Sequence, residues 1–152
     1  MTQQRDSATE ARKTWMGLLA RAPDDATLAL WEGLTDRPGF EWLRSPEVGG
    51  VMVRGRTGAT GAPFNLGEMT VTRCSVVLQD GTVGHGYVQG RSKPKAEAAA
   101  VIDAMMQTAA ADHVQENLLG PLEQKMQAVK IARAAKAAAT KVEFFTLVRG
   151  ED

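Results

Sequence analysis

The sequence predicts an α+β fold: an antiparallel β-sheet built around a central hairpin, with helices N-terminal and C-terminal to it. Two β-patterned runs meet at Asp80-Gly81, a pair that strongly favours a tight turn. Before and after them, apolar residues recur at helical spacing. Strands are therefore grouped in the middle of the chain and do not alternate with helices, which is the α+β pattern.

In chain order, residues 8 to 21 read as a helix, with Trp15, Leu18 and Leu19 on one face beside Ala11 and Ala22. Pro23-Asp24-Asp25 opens a second, short helix through Leu28, Leu30, Trp31 and Leu34. Its two acids suit the positive end of the helix dipole. Arg37-Pro38-Gly39 ends it. Phe40 to Leu43 reads as a short strand and Glu47 to Arg56 as a second one. Thr57 to Pro63 is a Gly-rich loop. Gly67 to Gln79 reads as a long strand with apolar residues on both faces, so cover is expected on both. Thr82 to Gly90 returns beside it. Gly84, Gly86 and Gly90 fall on one side of this strand, where they either admit another backbone closely or mark a bend.

Pro94 and the alanine run from Ala96 start a further helix through Val101, Ile102, Met105 and Met106. Gly120-Pro121 is expected to break the helical pattern, and a last helix follows to about Thr140. The apolar, β-prone segment Phe144 to Val148 is expected to be buried, in the chain's own sheet or in a partner, since each phenylalanine exposes a large apolar area. The whole is expected to be a single domain over 1–152, with 1–7 as a flexible tail.

Lys and Arg number 18 and Asp and Glu number 18, so no whole-chain basic field draws nucleic acid or an acidic membrane. With one Tyr, base stacking is poorly served as well. No apolar run approaches the roughly 18 residues of a membrane helix. The N-terminus is polar, and the lone Cys74 fits a reducing compartment, so a cytoplasmic location is expected.

Candidate chemistry is sparse. His85, His113 and Cys74 show no metal-ligand spacing, so no metal site and no catalytic set is assigned. Cys74 sits mid-strand, where a small buried hydrophobe is the usual role. The hairpin register is not expected to bring His85 to it. The stronger feature is Gly90-Arg91-Ser92-Lys93-Pro94-Lys95, which joins a strand to a helix. Ser92 can cap that helix, and Arg91, Lys93 and Lys95 oppose its dipole. Such a turn asks for an anion or an acidic partner. Arg54 and Arg56, at the mouth of the Gly-rich loop, form a weaker anion- or partner-binding candidate.

Several runs together carry a resemblance: Thr14-Trp15-Met16, the stretch from Gly61 to Cys74, Leu78 to Gly84, Gln89-Gly90-Arg91 with Ala96-Glu97, and Phe144 to Gly150. From near residue 14 to the C-terminus the chain resembles the G-subunit family of the bacterial carbon–phosphorus lyase core complex. The resemblance implies an accessory, non-catalytic part in phosphonate catabolism. The reaction implied is formation of ribose 1-phosphonate 5-triphosphate from MgATP and a phosphonate. It implies partner subunits H, I and J and ATP-binding-cassette-like subunits. It implies no cofactor on this chain, MgATP being a substrate of the complex. The family often has an aromatic residue where this chain has His85 and an acid where it has Ser92, so the resemblance assigns neither a catalytic role. The alternative is a stand-alone enzyme on a phosphorylated substrate, using His85, Arg73 or Arg91.

Overall fold

The computed structural model describes the backbone of residues 2–56 and 63–150, and the side chains of 2–54 and 67–141 within them. Two helices, α1 (Thr2–Arg21) and α2 (Asp24–Gly33), precede three strands, β1 (Phe40–Arg56), β2 (Pro63–Leu78) and β3 (Val83–Gln89). After them come α3 (Lys93–Met105), a short α4 (Ala111–Val114), a π-helical turn (Gln115–Leu119) and a long α5 (Gly120–Gly150). The sheet is antiparallel in the order β1-β2-β3, so β1 and β3 are its edges. This is the predicted α+β class.

The hairpin forms as predicted. Thr82 N–H bonds the Asp80 carboxylate at 2.9 Å, and Gly81 takes a positive φ of 89° at which a side chain would be strained. The two short strands expected before the Gly-rich loop are one strand of 17 residues. The misreading has a local cause, because the register shifts between Trp42 and Arg44 and again between Arg44 and Glu47, around Pro46. An edge strand absorbs such bulges and a proline without ending. Of the Gly-rich loop, residues 57–62 lie outside the described residues, and Pro63 already belongs to β2.

The core lies between α3 and one face of the sheet. Cys74, Val76 and Leu78 of β2 and Val88 of β3 face Ala96, Ala99, Ala100, Val101, Ile102 and Met105. The glycines of β3 explain how close the two layers come. A Cβ at Gly84 would lie 2.0 Å from Ala100 O, and one at Gly86 would lie 2.2 Å from Ala96 O. The close-approach reading therefore holds for these two. Gly90 differs: it has open space around it and a φ of 95°, and it turns the chain out of the sheet. The other sheet face is covered at Val71 but open at Arg73, His85 and Tyr87.

Two helical boundaries differ from the sequence reading. Helix α1 begins at Thr2, its first turns exposed on all sides. Gly120-Pro121 does not interrupt the last helix. The π turn widens the coil just ahead of Pro121, where the ring would otherwise meet the carbonyl four residues back. The helix then continues past Thr140 to Gly150, so the backbone of Phe144 to Val148 is helical and adds no strand to the sheet. The side chains of that segment lie outside the described residues.

Candidate functional site

The basic turn after β3 is built much as its sequence suggests at its cap and differently at its charges. The Ser92 hydroxyl accepts from Lys95 N–H at 3.2 Å, and Pro94 occupies the first helical turn. Arg91 and Lys93 are exposed. Lys95 turns inward and is 1% exposed. Its Nζ donates to Ala22 O and lies 3.2 Å from the Asp24 carboxylate. The cation thus caps the carbonyl end of α1 and meets an acid at the start of α2. The compensating acid foreseen for this turn is supplied within the chain, which takes Lys95 out of any anion- or partner-binding surface.

Arg54 is exposed far out on β1 opposite Asn65, whereas the turn meets the sheet where Gly90 N–H bonds Thr70 O at 2.9 Å. The structure therefore does not join Arg54 to Arg91 and Lys93. The backbone of Arg56 pairs with Pro63, and its side chain lies outside the described residues.

A second charge centre sits near the opposite end of α3, and sequence reasoning missed it. Asp103 is fully buried and accepts four hydrogen bonds. Arg12 reaches it twice, through Nε at 3.1 Å and Nη2 at 2.7 Å. Trp15 Nε1 donates at 2.8 Å and the backbone N–H of His85 at 2.9 Å. Its hydrogen bonds to the guanidinium raise the affinity of Arg12 for its proton above the ordinary range. A buried carboxylate persists when its lone pairs are filled this way. Arg12 meets Asp103, and Ala22 meets Lys95, so α1 runs antiparallel along α3. The one signal in the sequence was a lone acid in an otherwise apolar helix face, with Arg12 and Trp15 one turn apart on another helix.

Other candidates resolve as follows. Cys74 faces Gly86 across the hairpin, not His85, and its thiol donates to Ala96 O at 3.1 Å. Burial pushes its pKa up to about 11, so it stays protonated and unreactive near neutrality. His85 instead pairs with Ser75, Nδ1 to Oγ at 2.9 Å, on the open sheet face beside Arg73 and Tyr87. His113 is tied to Thr35 O at 3.1 Å and to Asn117. Among the described residues no group of three or more His, Cys, Asp or Glu stands where it could hold a metal ion. No described helix is long and apolar enough to cross a membrane.

A groove of about 610 Å³ opens between α1 and the start of α5, with Trp15, Leu18, Met106, Leu119 and Met126 as its apolar wall. Beyond Met126, α5 is exposed on all sides through residue 141, including Val129 and Ile131.

Comparison with known proteins accounts for nearly the whole chain. A family model described as phosphonate metabolism protein PhnG matches residues 10–150. A protein of Rhizobium meliloti (strain 1021), named alpha-D-ribose 1-methylphosphonate 5-triphosphate synthase subunit PhnG, is 44% identical over 147 residues, which span 97% of this chain and 94% of that protein. The buried charges, the paired thiol and the exposed arms described above are therefore the features of one member of a known group: the chain belongs to the PhnG family of phosphonate metabolism proteins.

Proposed function

We propose that the chain is the G subunit of an α-D-ribose 1-methylphosphonate 5-triphosphate synthase, and that it acts as an accessory, non-catalytic subunit. The observation that carries this reading is the 44% identity to a protein named as that subunit, over almost the full length of both. The geometry supports the accessory part. Asp103, Lys95 and Cys74, the buried groups with chemical potential, are consumed in holding helices to one another and to the sheet. Among the described residues the exposed large apolar side chains, Tyr87 of β3 apart, lie on β1 and α5, the elements that extend beyond the core. In this reading subunits H, I and J and ATP-binding-cassette-like subunits are the partners, MgATP is a substrate of the complex, and this chain holds no cofactor.

The alternative, a stand-alone enzyme on a phosphorylated substrate, draws on the Ser75–His85 hydrogen bond beside Arg73. No third described side chain orients the imidazole, which leaves the pair short of a nucleophile–base arrangement.

Co-expression with subunits H, I and J, followed by size-exclusion chromatography, tests the proposal. The chain is expected to co-elute with them, and the purified chain alone to consume neither ATP nor phosphonate. Turnover by the isolated chain that His85→Ala abolishes would establish the alternative.

A further inference from the structure

The alternation of hydrogen bonds across the sheet identifies which backbone groups of β1 are spare. On β3, His85 N–H and Val83 C=O point away from the sheet, to Asp103 and Gln107. Gly84, Gly86 and Val88 therefore bond β2, opposite Val76, Cys74 and Thr72. Gly90 N–H to Thr70 O and Leu78 N–H to Thr82 O follow the same alternation. The even-numbered residues of β2 thus face β3, and the odd-numbered ones face β1. On β1, Gly49 and Val51 lie opposite Val71 and Met69 and are bonded to β2. Val48, Gly50 and Met52 lie opposite Thr72, Thr70 and Glu68 and turn their N–H and C=O groups outward.

Among the described residues none bonds those outward groups. The first part of the edge is guarded by Pro46 and two register shifts. From Glu47 to Val53 the pairing is unbroken, with no register shift. Donors and acceptors repeating every second residue match another extended backbone; a helix has already spent its own.

The side chains on this edge name the chemistry of the incoming strand. Val48 and Met52 are 40% and 55% exposed and lie on the α3 side of the sheet. Between them, the Glu68 carboxylate folds over Gly50, in the space that a Cβ at residue 50 would need. The edge therefore presents apolar, acidic, apolar at two-residue intervals.

We propose that the outer edge of β1 from Val48 to Met52 is a strand-addition site for an extended segment of another synthase subunit. That segment carries apolar residues opposite Val48 and Met52, and a lysine or arginine opposite Gly50 against Glu68. The proposal rests on the accessory-subunit reading. A second copy of this chain fits worse. Antiparallel pairing about a two-fold axis at Gly50 sets the Glu68 carboxylates of the two copies against each other.

The test is residue-resolved hydrogen exchange on the full chain, alone and co-expressed with subunits H, I and J, with two variants. In the isolated chain the amides of Val48, Gly50 and Met52 exchange fast, and those of Gly49 and Val51 slowly. In the complex the three outward amides slow by roughly tenfold or more. Met52→Pro removes an outward N–H and leaves the β1–β2 bonds intact, and Glu68→Lys reverses the charge. Each keeps the circular dichroism spectrum of the wild type and weakens assembly roughly tenfold, while Met52→Leu assembles normally. Fast outward amides in the assembled complex, or normal assembly of both variants, overturn the proposal. Slow outward amides in a self-associated isolated chain overturn the choice of partner. A wild-type chain that does not co-elute removes the accessory-subunit reading, and the named partner with it. A capped peptide of threonine alternating with valine, arginine and valine then decides the edge itself. It slows the same three amides if the edge takes a strand, and it does not if the edge is inert.

Discussion

On the β3 side of the sheet, Asp103 takes the outward N–H of His85 and Gln107 takes the outward C=O of Val83, with α1 lying alongside. On the β1 side, the matching groups of Val48, Gly50 and Met52 meet no described residue. One edge has been built into the stability of the chain, and the other has been left outside it. The difference follows from what each edge costs. An outward amide beneath a helix is out of reach of water and must have a partner, whereas an amide on a projecting strand keeps water as its partner until something displaces it.

The comparison breaks most readily at the glycines that let α3 onto β3. Gly84→Val puts carbon atoms where Ala100 O stands, and backbone cannot yield as a side chain can. Loss of more than about 4 kcal/mol is expected, read as an unfolded far-UV circular dichroism spectrum. A native spectrum and melting curve would show that the two layers are not in contact there.

Next in size is the buried carboxylate. Asp103→Ala strands Arg12, the Trp15 indole N–H and the His85 amide together. The expected cost is about 3–5 kcal/mol in urea unfolding. A cost below about 1 kcal/mol would mean that water already serves these groups.

A smaller effect sharpens the view of the sealed side by pH. The Cys74 thiol has its pKa raised from 9.0 to about 11 by burial, so the folded state holds its proton more tightly than the unfolded one. Its contribution is fully present below pH 9.0 and is lost as pH rises toward about 11. The loss reaches roughly 3 kcal/mol. Urea titrations across that window, compared with Cys74→Ala, should show a steeper alkaline decline in the wild type. Parallel curves would place the thiol in contact with water.

The smallest effect on stability belongs to the projecting side. Ile131 on α5 is 67% exposed, and Ile131→Ser is expected to change unfolding by less than about 0.5 kcal/mol. The same change is expected to reduce co-elution with the partner subunits. Equal co-elution would leave that stretch of α5 outside the interface.

Much of this was written locally in the sequence. Asp80-Gly81 specified its turn and Ser92 its cap, because each bonds groups two or three residues away. Alternation in β2 and β3 separated Cys74 from His85, because strand period and turn length together set the register. The close approach at Gly84 and Gly86 was one of two readings that the missing side chains allowed. The proposal of an accessory role came from the family-like runs of residues, such as Gly61 to Cys74, and not from any chemical constellation.

What the tertiary structure alone decided are the charges and the long elements. Lys95 read as an exposed cation because the acid it meets is not Glu97, its neighbour in sequence, but one far away in the chain. Its partner Asp24 lies on the far side of the sheet in chain order, and only the antiparallel run of α1 along α3 brings the two together. Asp103 showed in the sequence only as a lone acid on an apolar face for the same reason, its four hydrogen bonds coming from residues 12, 15 and 85. The continuity of β1 through Pro46, and of the last helix through Pro121, depended on an edge position and on a π turn. Local propensity sees only a residue's neighbours in the chain, while burial and pairing are settled by neighbours in space. The sequence could therefore set turns, caps and periods, and only the packed fold could say which charges were already spent.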